Sequence, residues 1–175
     1  MVSSLRRPDW LSNGAMEIIP ATEADIPELV DLWVEFFDYH RDVDPYYTRS
    51  EDARKHIEKR FREKIEDGDS RVLAAVEDGK VLGYSLFWIA EGSTFIRQRR
   101  YGFISDLAVT SDHRGRGIGD SLLERTLAWF ETKKIERIII NVLVGNPKAI
   151  RFWERHGFEV REHCMERITE IADED

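Results

Sequence analysis

From Tyr101 to Lys134 the chain reads YGFISDLAVTSDHRGRGIGDSLLERTLAWFETKK, and this stretch limits the possible folds more than any other. An apolar, strand-like run passes through Arg114-Gly115-Arg116-Gly117-Ile118-Gly119 into a segment with the apolar spacing of an amphipathic helix. In that order the three parts make an anion site. Successive N–H groups of a glycine loop can point at one spot, and the open donors and dipole of the helix start add to the same field. A phosphate or pyrophosphate is the natural guest.

Spacing separates the glycine-loop chemistries. A P-loop needs Lys-Ser/Thr after its last glycine, and none follows Gly119. A dinucleotide fingerprint counted from Gly115 needs glycine where the chain has Asp120, and it should open its domain rather than follow a long patterned stretch. A plain turn between strand and helix is the bland reading. The third chemistry fits: Arg-x-x-Gly-x-Gly, preceded by Leu107-Ala108-Val109 and followed by a helix, resembles the acetyl-CoA motif of the GCN5-related N-acetyltransferases (GNAT).

Composition narrows the setting. With 175 residues, 42% hydrophobic and 34% charged, the chain has the size and balance of one soluble domain with a sizeable core. No apolar run approaches a membrane span and the first residues lack a signal-peptide core, so no membrane partner and a cytoplasmic location are expected. A net charge of −8 argues against nucleic acid, which needs a basic face, and is compatible with a cationic amine. The single Cys164 cannot make an internal disulfide and is expected to be buried or to face a strand. No His/Cys cluster has zinc-ligand spacing, so no metal is expected.

Residues 1–15 show turn formers and no period, and are read as an extension outside the core. The domain proper spans 16–168, and 169–175 form an acidic tail. Met16-Glu17-Ile18-Ile19 reads as a strand. Asp25, Pro27 and Glu28 then signal a helix start, with Asp25 as cap and Glu28 completing a capping box. Ile26, Leu29, Val30, Trp33, Phe36 and Phe37 supply its apolar face. A second helix, capped at Ser50, buries Ala53, Ile57, Phe61 and Ile65, and its charges, Arg60 among them, read as a solvated face. Two strands, 71–76 and 80–88, meet at Glu77-Asp78-Gly79, which carries the Asp-Gly signal of a tight hairpin. Beyond the central stretch come a strand over 135–144, a short helix opened by Pro147 and ended by Gly157, and a strand over 158–167. The order implies an α/β (α+β) fold, a mixed sheet with helices on both faces.

The stretch NPKAIRFWERHGF, 146–158, resembles the family's later motif, an Asn, an Ala three residues on, an aromatic and a closing Gly-Phe. The resemblance runs from Met16 to about Arg167. It implies a mostly antiparallel central sheet of about six to seven strands and acetyl-CoA or CoA as cofactor. The pantetheine arm would lie along Leu107, Ala108 and Val109, and the pyrophosphate on the N–H groups of Arg114, Gly115, Arg116, Gly117, Ile118, Gly119 and Asp120. Arg114 and Arg116 would screen its charge, the Asp120 side chain would point outward, and Asn146 and Ala149 would face the cofactor's other side. A homodimer is the implied assembly.

The activity implied is transfer of acetyl to a primary amine of a small molecule or peptide. Many relatives use a Glu base and a Tyr acid, and the matching positions here are Ser105, Asn141 and Trp153. That leaves Ser105 and Asp106 as catalytic candidates. Strand alternation puts them on opposite faces unless a bulge re-aims one. The other possibility is a water relay from Ser105 to His40, Asp38 or Asp44. Tyr39, His40 and Tyr46, at the end of the first helix and the turn after it, are candidates for the amine site. The alternatives are a CoA-binding regulatory or sensor domain without the chemistry, and a nucleotide-binding module.

Overall fold

The computed structural model describes residues 14–167, so most of the 1–15 extension and the whole 169–175 tail lie outside the described residues. The chain divides into two compact units, 1–141 and 142–175.

The first unit is built on a sheet of order β1-β2-β3-β4-β5. Strands β1 (Glu17–Pro20), β2 (Ser70–Glu77), β3 (Lys80–Glu91) and β4 (Arg100–Val109) run antiparallel to their neighbours, and β5 (Ile138–Ile140) lies parallel to β4. Helices α1 (Ile26–Val43) and α2 (Ala53–Glu66) connect β1 to β2, and α3 (Ile118–Thr132) connects β4 to β5. Adjacent residues of β3 show how the sheet sits between them. Tyr84 packs edge-on to Phe61 of α2, with ring centroids 5.4 Å apart. Ser85, on the opposite face, accepts a 3.0 Å hydrogen bond from Thr126 of α3. Leu29, Val30, Ile57, Phe61, Tyr84 and Leu86 form the core of the first face, and Leu122, Phe130 and Phe87 are buried on the second.

Local chemistry explains most boundaries. Asp78 and Gly79 both have positive φ, 49° and 77°, as the expected Asp-Gly turn requires. The helix start differs in detail, because a short 3₁₀ turn, Glu23–Asp25, precedes α1. Asp25 turns back and accepts from the Thr22 N–H at 2.8 Å, while Glu28 accepts from the Val81 N–H at 2.8 Å and pins the helix to β3.

Four expectations are corrected. The described sheet has five strands, not six to seven. The strand expected over 135–144 is reduced to Ile138–Ile140, because β4 changes course beside it. Residues 158–167 form no strand. That segment carries charge at Glu159, Arg161, Glu162, Glu166 and Arg167, so it has no apolar face to bury, and Val160 and Met165 remain 69% and 92% exposed. Cys164, expected to be buried or to face a strand, is exposed there and lies in no strand.

The second unit centres on α4 (Pro147–Arg155). Its end is a Schellman motif: Phe158 N–H donates to Trp153 O at 3.1 Å and Gly157 N–H to Glu154 O at 3.0 Å. Gly157 takes φ 82°, and the Trp153 and Phe158 rings close the motif at 5.0 Å.

Gly102 packs closely on α3, since a Cβ there would sit 2.6 Å from the Phe130 ring. Gly102→Ala is expected to lower Tm by roughly 2–12 °C, from an overpacking cost of about 1–3 kcal/mol at about 2–4 °C each. Gly68→Ala, where nothing lies within 4 Å, is the control expected to melt with the parent in calorimetry.

Candidate functional site

The site begins where β4 leaves β5. Gly102, Phe103 and Ile104 pair with Ile138, Ile139 and Ile140, and the pairing then ends. One residue later β4 is bulged against β3: Leu86 faces Asp106 and Phe87 faces Ile104, so Ser105 has no partner. From Asp106 to Val109 one edge of β4 pairs with β3, and from Ser105 to Val109 no strand among the described residues pairs with the other. A free stretch of N–H and C=O groups in mid-sheet can receive an extended ligand as an added strand.

The bulge also re-aims side chains. Leu86 belongs to the face covered by α1 and α2, so its partner Asp106 points there as well, and Ser105 joins it. Ser105 Oγ donates to Asp106 Oδ1 at 3.0 Å and accepts from Arg60 Nη2 of α2 at 3.2 Å. Tyr84 Oη donates to Asp106 Oδ2 at a longer 3.4 Å. Burial raises the Asp106 pKa above the ordinary carboxylate value, and the Arg60 charge and the two hydroxyl donors oppose it. The Tyr84 phenol is pushed well up by burial and then by Asp106, so it stays a proton donor.

His40 of α1 is half-buried and stacks on Phe36, with centroids 4.2 Å apart. Its Nδ1 lies 2.8 Å from Phe36 O; a carbonyl only accepts, so Nδ1 carries the proton and a neutral ring leaves Nε2 open. When the ring is protonated, its charge lowers the Asp106 pKa, the smallest of the influences on that carboxyl. Tyr39 lies beneath the Arg114 guanidinium, 5.5 Å from its ring centroid, and Tyr46 is 72% exposed beyond the end of the helix. The other relay candidates are engaged elsewhere. Asp38 holds Arg49 and Arg41, and Asp44 caps the turn after α1 through the Tyr46 N–H.

Gly115 and Gly117 take φ 78° and 79°, and a Cβ on either would meet nothing within 4 Å. Gly117 starts α3 without a side-chain cap, so no capping side chain takes up the first N–H groups of the helix. Asp120 is exposed. The loop arginines brace this turn. Arg116 Nη2 is 3.0 Å from Glu77, and Arg114 donates to Val109 O at 3.0 Å and pairs with Glu35 at 3.5 Å. Glu35 also accepts from the Ser111 N–H at 2.8 Å. A free strand edge that ends in an open N–H cradle has the donors that a pantetheine arm and a pyrophosphate need, so the residues present fit CoA.

In the second unit Asn146 Oδ1 caps α4 through the Ala149 N–H at 3.1 Å, so the two motif residues are joined to each other. Trp153 is buried and Asn141, in the first unit, is exposed; neither is a proton donor suited to a thiolate. Tyr84 and Arg60 are the members that sequence reasoning missed. A phenol inside a buried strand needs a partner, which was a usable signal. Arg60 sits one turn after Ile57 and next to Phe61, at the rim of the apolar stripe of α2.

Comparisons with known proteins bear on the family and the fold. The profile of the Acetyltransferase (GNAT) family matches residues 26–158. The chain is 30% identical over 164 residues to the uncharacterized N-acetyltransferase MJ1207 of Methanocaldococcus jannaschii, covering 86% of this chain and 67% of that one. It superposes on a tetramutant of the BH1408 protein of Bacillus halodurans with TM-score 0.79 at 26% identity, over 87% of this chain and 99% of the other. An aminoglycoside N-acetyltransferase in complex with CoA shares the fold, with TM-score 0.68 at 16% identity over 90% and 96% of the two chains.

The raised Asp106 pKa has a consequence for stability. The fold favours the protonated carboxyl; that contribution is complete below the ordinary carboxylate pKa and is lost as pH climbs through the raised value. Asp106→Asn is therefore expected to melt above the parent at about pH 8 and level with it near about pH 4. A parent that melts higher at the alkaline end would contradict the buried, proton-favouring site.

Proposed function

The chain belongs to the Acetyltransferase (GNAT) family, and from that premise we propose that it moves the acetyl group of acetyl-CoA to a primary amine of a small molecule or peptide. The observation that carries this is the free edge of β4 from Ser105 to Val109, leading to the open glycine cradle at the start of α3. Leu107, Ala108 and Val109 would hold the pantetheine arm, and the N–H groups from Arg114 to Asp120 the pyrophosphate. Bound there, acetyl-CoA supplies an activated thioester and a leaving group that departs as a thiolate.

The chain's own groups answer the remaining needs. Backbone N–H groups at the bulge are donors for a carbonyl oxygen. An attacking amine must lose a proton, and Ser105 has one lone pair taken by Arg60 and one open. The proton passes to Ser105 Oγ as the Ser105 hydroxyl proton passes to Asp106 Oδ1, and Tyr84 steadies the other oxygen. A carboxylate with a raised pKa is the better base for this. The reading extends to a cytoplasmic homodimer.

One observation favours the alternative, a CoA-binding sensor: the positions where relatives keep Glu and Tyr hold Ser105, Asn141 and Trp153. Thiol release from acetyl-CoA against a panel of amines, beside CoA calorimetry, separates the two. Turnover with one amine class is the expected result; CoA binding without turnover on any would establish the sensor, and no CoA binding would remove the whole reading. Asp106→Asn is expected to lower kcat/KM by about 10²-fold or more with CoA affinity unchanged. Activity needs the ionised carboxylate, so kcat/KM should fall as pH drops through a value above the ordinary carboxylate range, and this limb should vanish in the variant. Full activity in both Asp106→Asn and Ser105→Ala would end their assignment.

A further inference from the structure

A cleft of about 270 Å³ opens between α1 and the beginning of α2, lined among others by Trp33, Phe37, Arg49, His56, Ile57 and Arg60. None of its lining residues is a carboxylate, although the chain has 34 acidic residues against 26 Lys and Arg. With Arg49 paired to Asp38 and His56 beside Asp52, Arg60 is the lining cation that favours an anionic group. Its size falls just below the roughly 300–1,000 Å³ of pockets for drug-sized ligands, so a small molecule is the occupant it suits.

The polar groups are placed unequally. Arg49 is held by both oxygens of Asp38, at 3.0 and 3.2 Å, and His56 stands 3.9 Å from Asp52. Arg60 bonds the Ser105 hydroxyl and lies 5.2 Å from the Trp88 ring centroid, which leaves further guanidinium donors for an anion. The cleft's apolar wall is the stacked pair Trp33 and Phe37, with centroids 4.7 Å apart and planes inclined by 28°.

We propose that the acceptor is a small α-amino acid with an apolar side chain: carboxylate on Arg60, α-amine at Ser105, side chain against Trp33 and Phe37. The fit is one of spacing. Amine and carboxylate share a carbon in such a molecule, and the two groups that would receive them are in direct contact at 3.2 Å. The ammonium form has a place to shed its proton, toward Ser105 and Asp106, and the neutral amine that remains is the nucleophile. This names the acceptor for the acetyl transfer proposed above and rests on that reading.

The test compares L-phenylalanine and L-leucine with phenethylamine, which keeps ring and amine but lacks the carboxylate, and with spermidine. Binding to the full chain is read by calorimetry, and thiol release from acetyl-CoA is followed in parallel. The amino acids are expected to bind at least about 10-fold more tightly than phenethylamine, the effect of one charge-assisted contact of about 1.5–3 kcal/mol. Arg60→Gln should erase that preference and raise the amino-acid KM while leaving CoA affinity unchanged, and Arg60→Lys should restore part of it. Equal or tighter binding of phenethylamine or spermidine, or a preference that survives Arg60→Gln, overturns the assignment. Turnover on spermidine alone would leave acetyl transfer standing and remove the amino-acid acceptor. Arg60-dependent amino-acid binding without thiol release would do the reverse.

Discussion

The unpaired residue at Ser105 is the constraint on which the site depends. An uninterrupted ladder would keep β4 beside β5 and put Ser105 and Asp106 on opposite faces. The inserted residue ends the pairing at Ile104 and turns both side chains toward α1 and α2. A single irregularity thus creates a free strand edge and, beside it, a buried polar pair. Bulges near active sites are a recognised means of re-aiming side chains, and here the re-aimed group is a carboxyl inside an otherwise apolar face.

That carboxyl is held in tension. Two hydroxyl donors and a nearby guanidinium favour its charge, and burial at 8% exposure opposes it more strongly. A fold optimised for stability alone would place an aliphatic side chain opposite Leu86. Both hydroxyl partners also need donors or acceptors of their own, so Tyr84, Ser105, Asp106 and Arg60 form one polar cluster in which each member's orientation depends on the others.

Much of the architecture was legible because the relevant rules are local. The Asp78-Gly79 turn, the apolar face of α1, the stripe Ala53, Ile57 and Phe61, and the caps of α4 each follow from short-range spacing. The glycine loop could be read because left-handed glycines before an apolar helix leave few alternatives. The bulge itself was not legible: nothing in FISDLAV marks where the ladder slips, since register is a property of two strands together. Arg60 was hidden for a related reason. Its role depends on α2 crossing the sheet over Ser105, and helical periodicity alone counts it among the solvated charges. The final strand failed because an alternating charged segment needs a neighbour to hold it, and the chain pattern does not show one.

Helix α1 has a further property that its separate contacts do not state. Over 18 residues, a rod of roughly 27 Å, it presents Trp33 and Phe37 to the cleft on one side and Glu35 and Tyr39 to the glycine loop on another. A packed helix turns as a solid body. Any rotation that reshaped the cleft would also move Glu35 relative to Ser111 and Arg114, so the pocket wall and the glycine loop rest on two surfaces of one mechanical part.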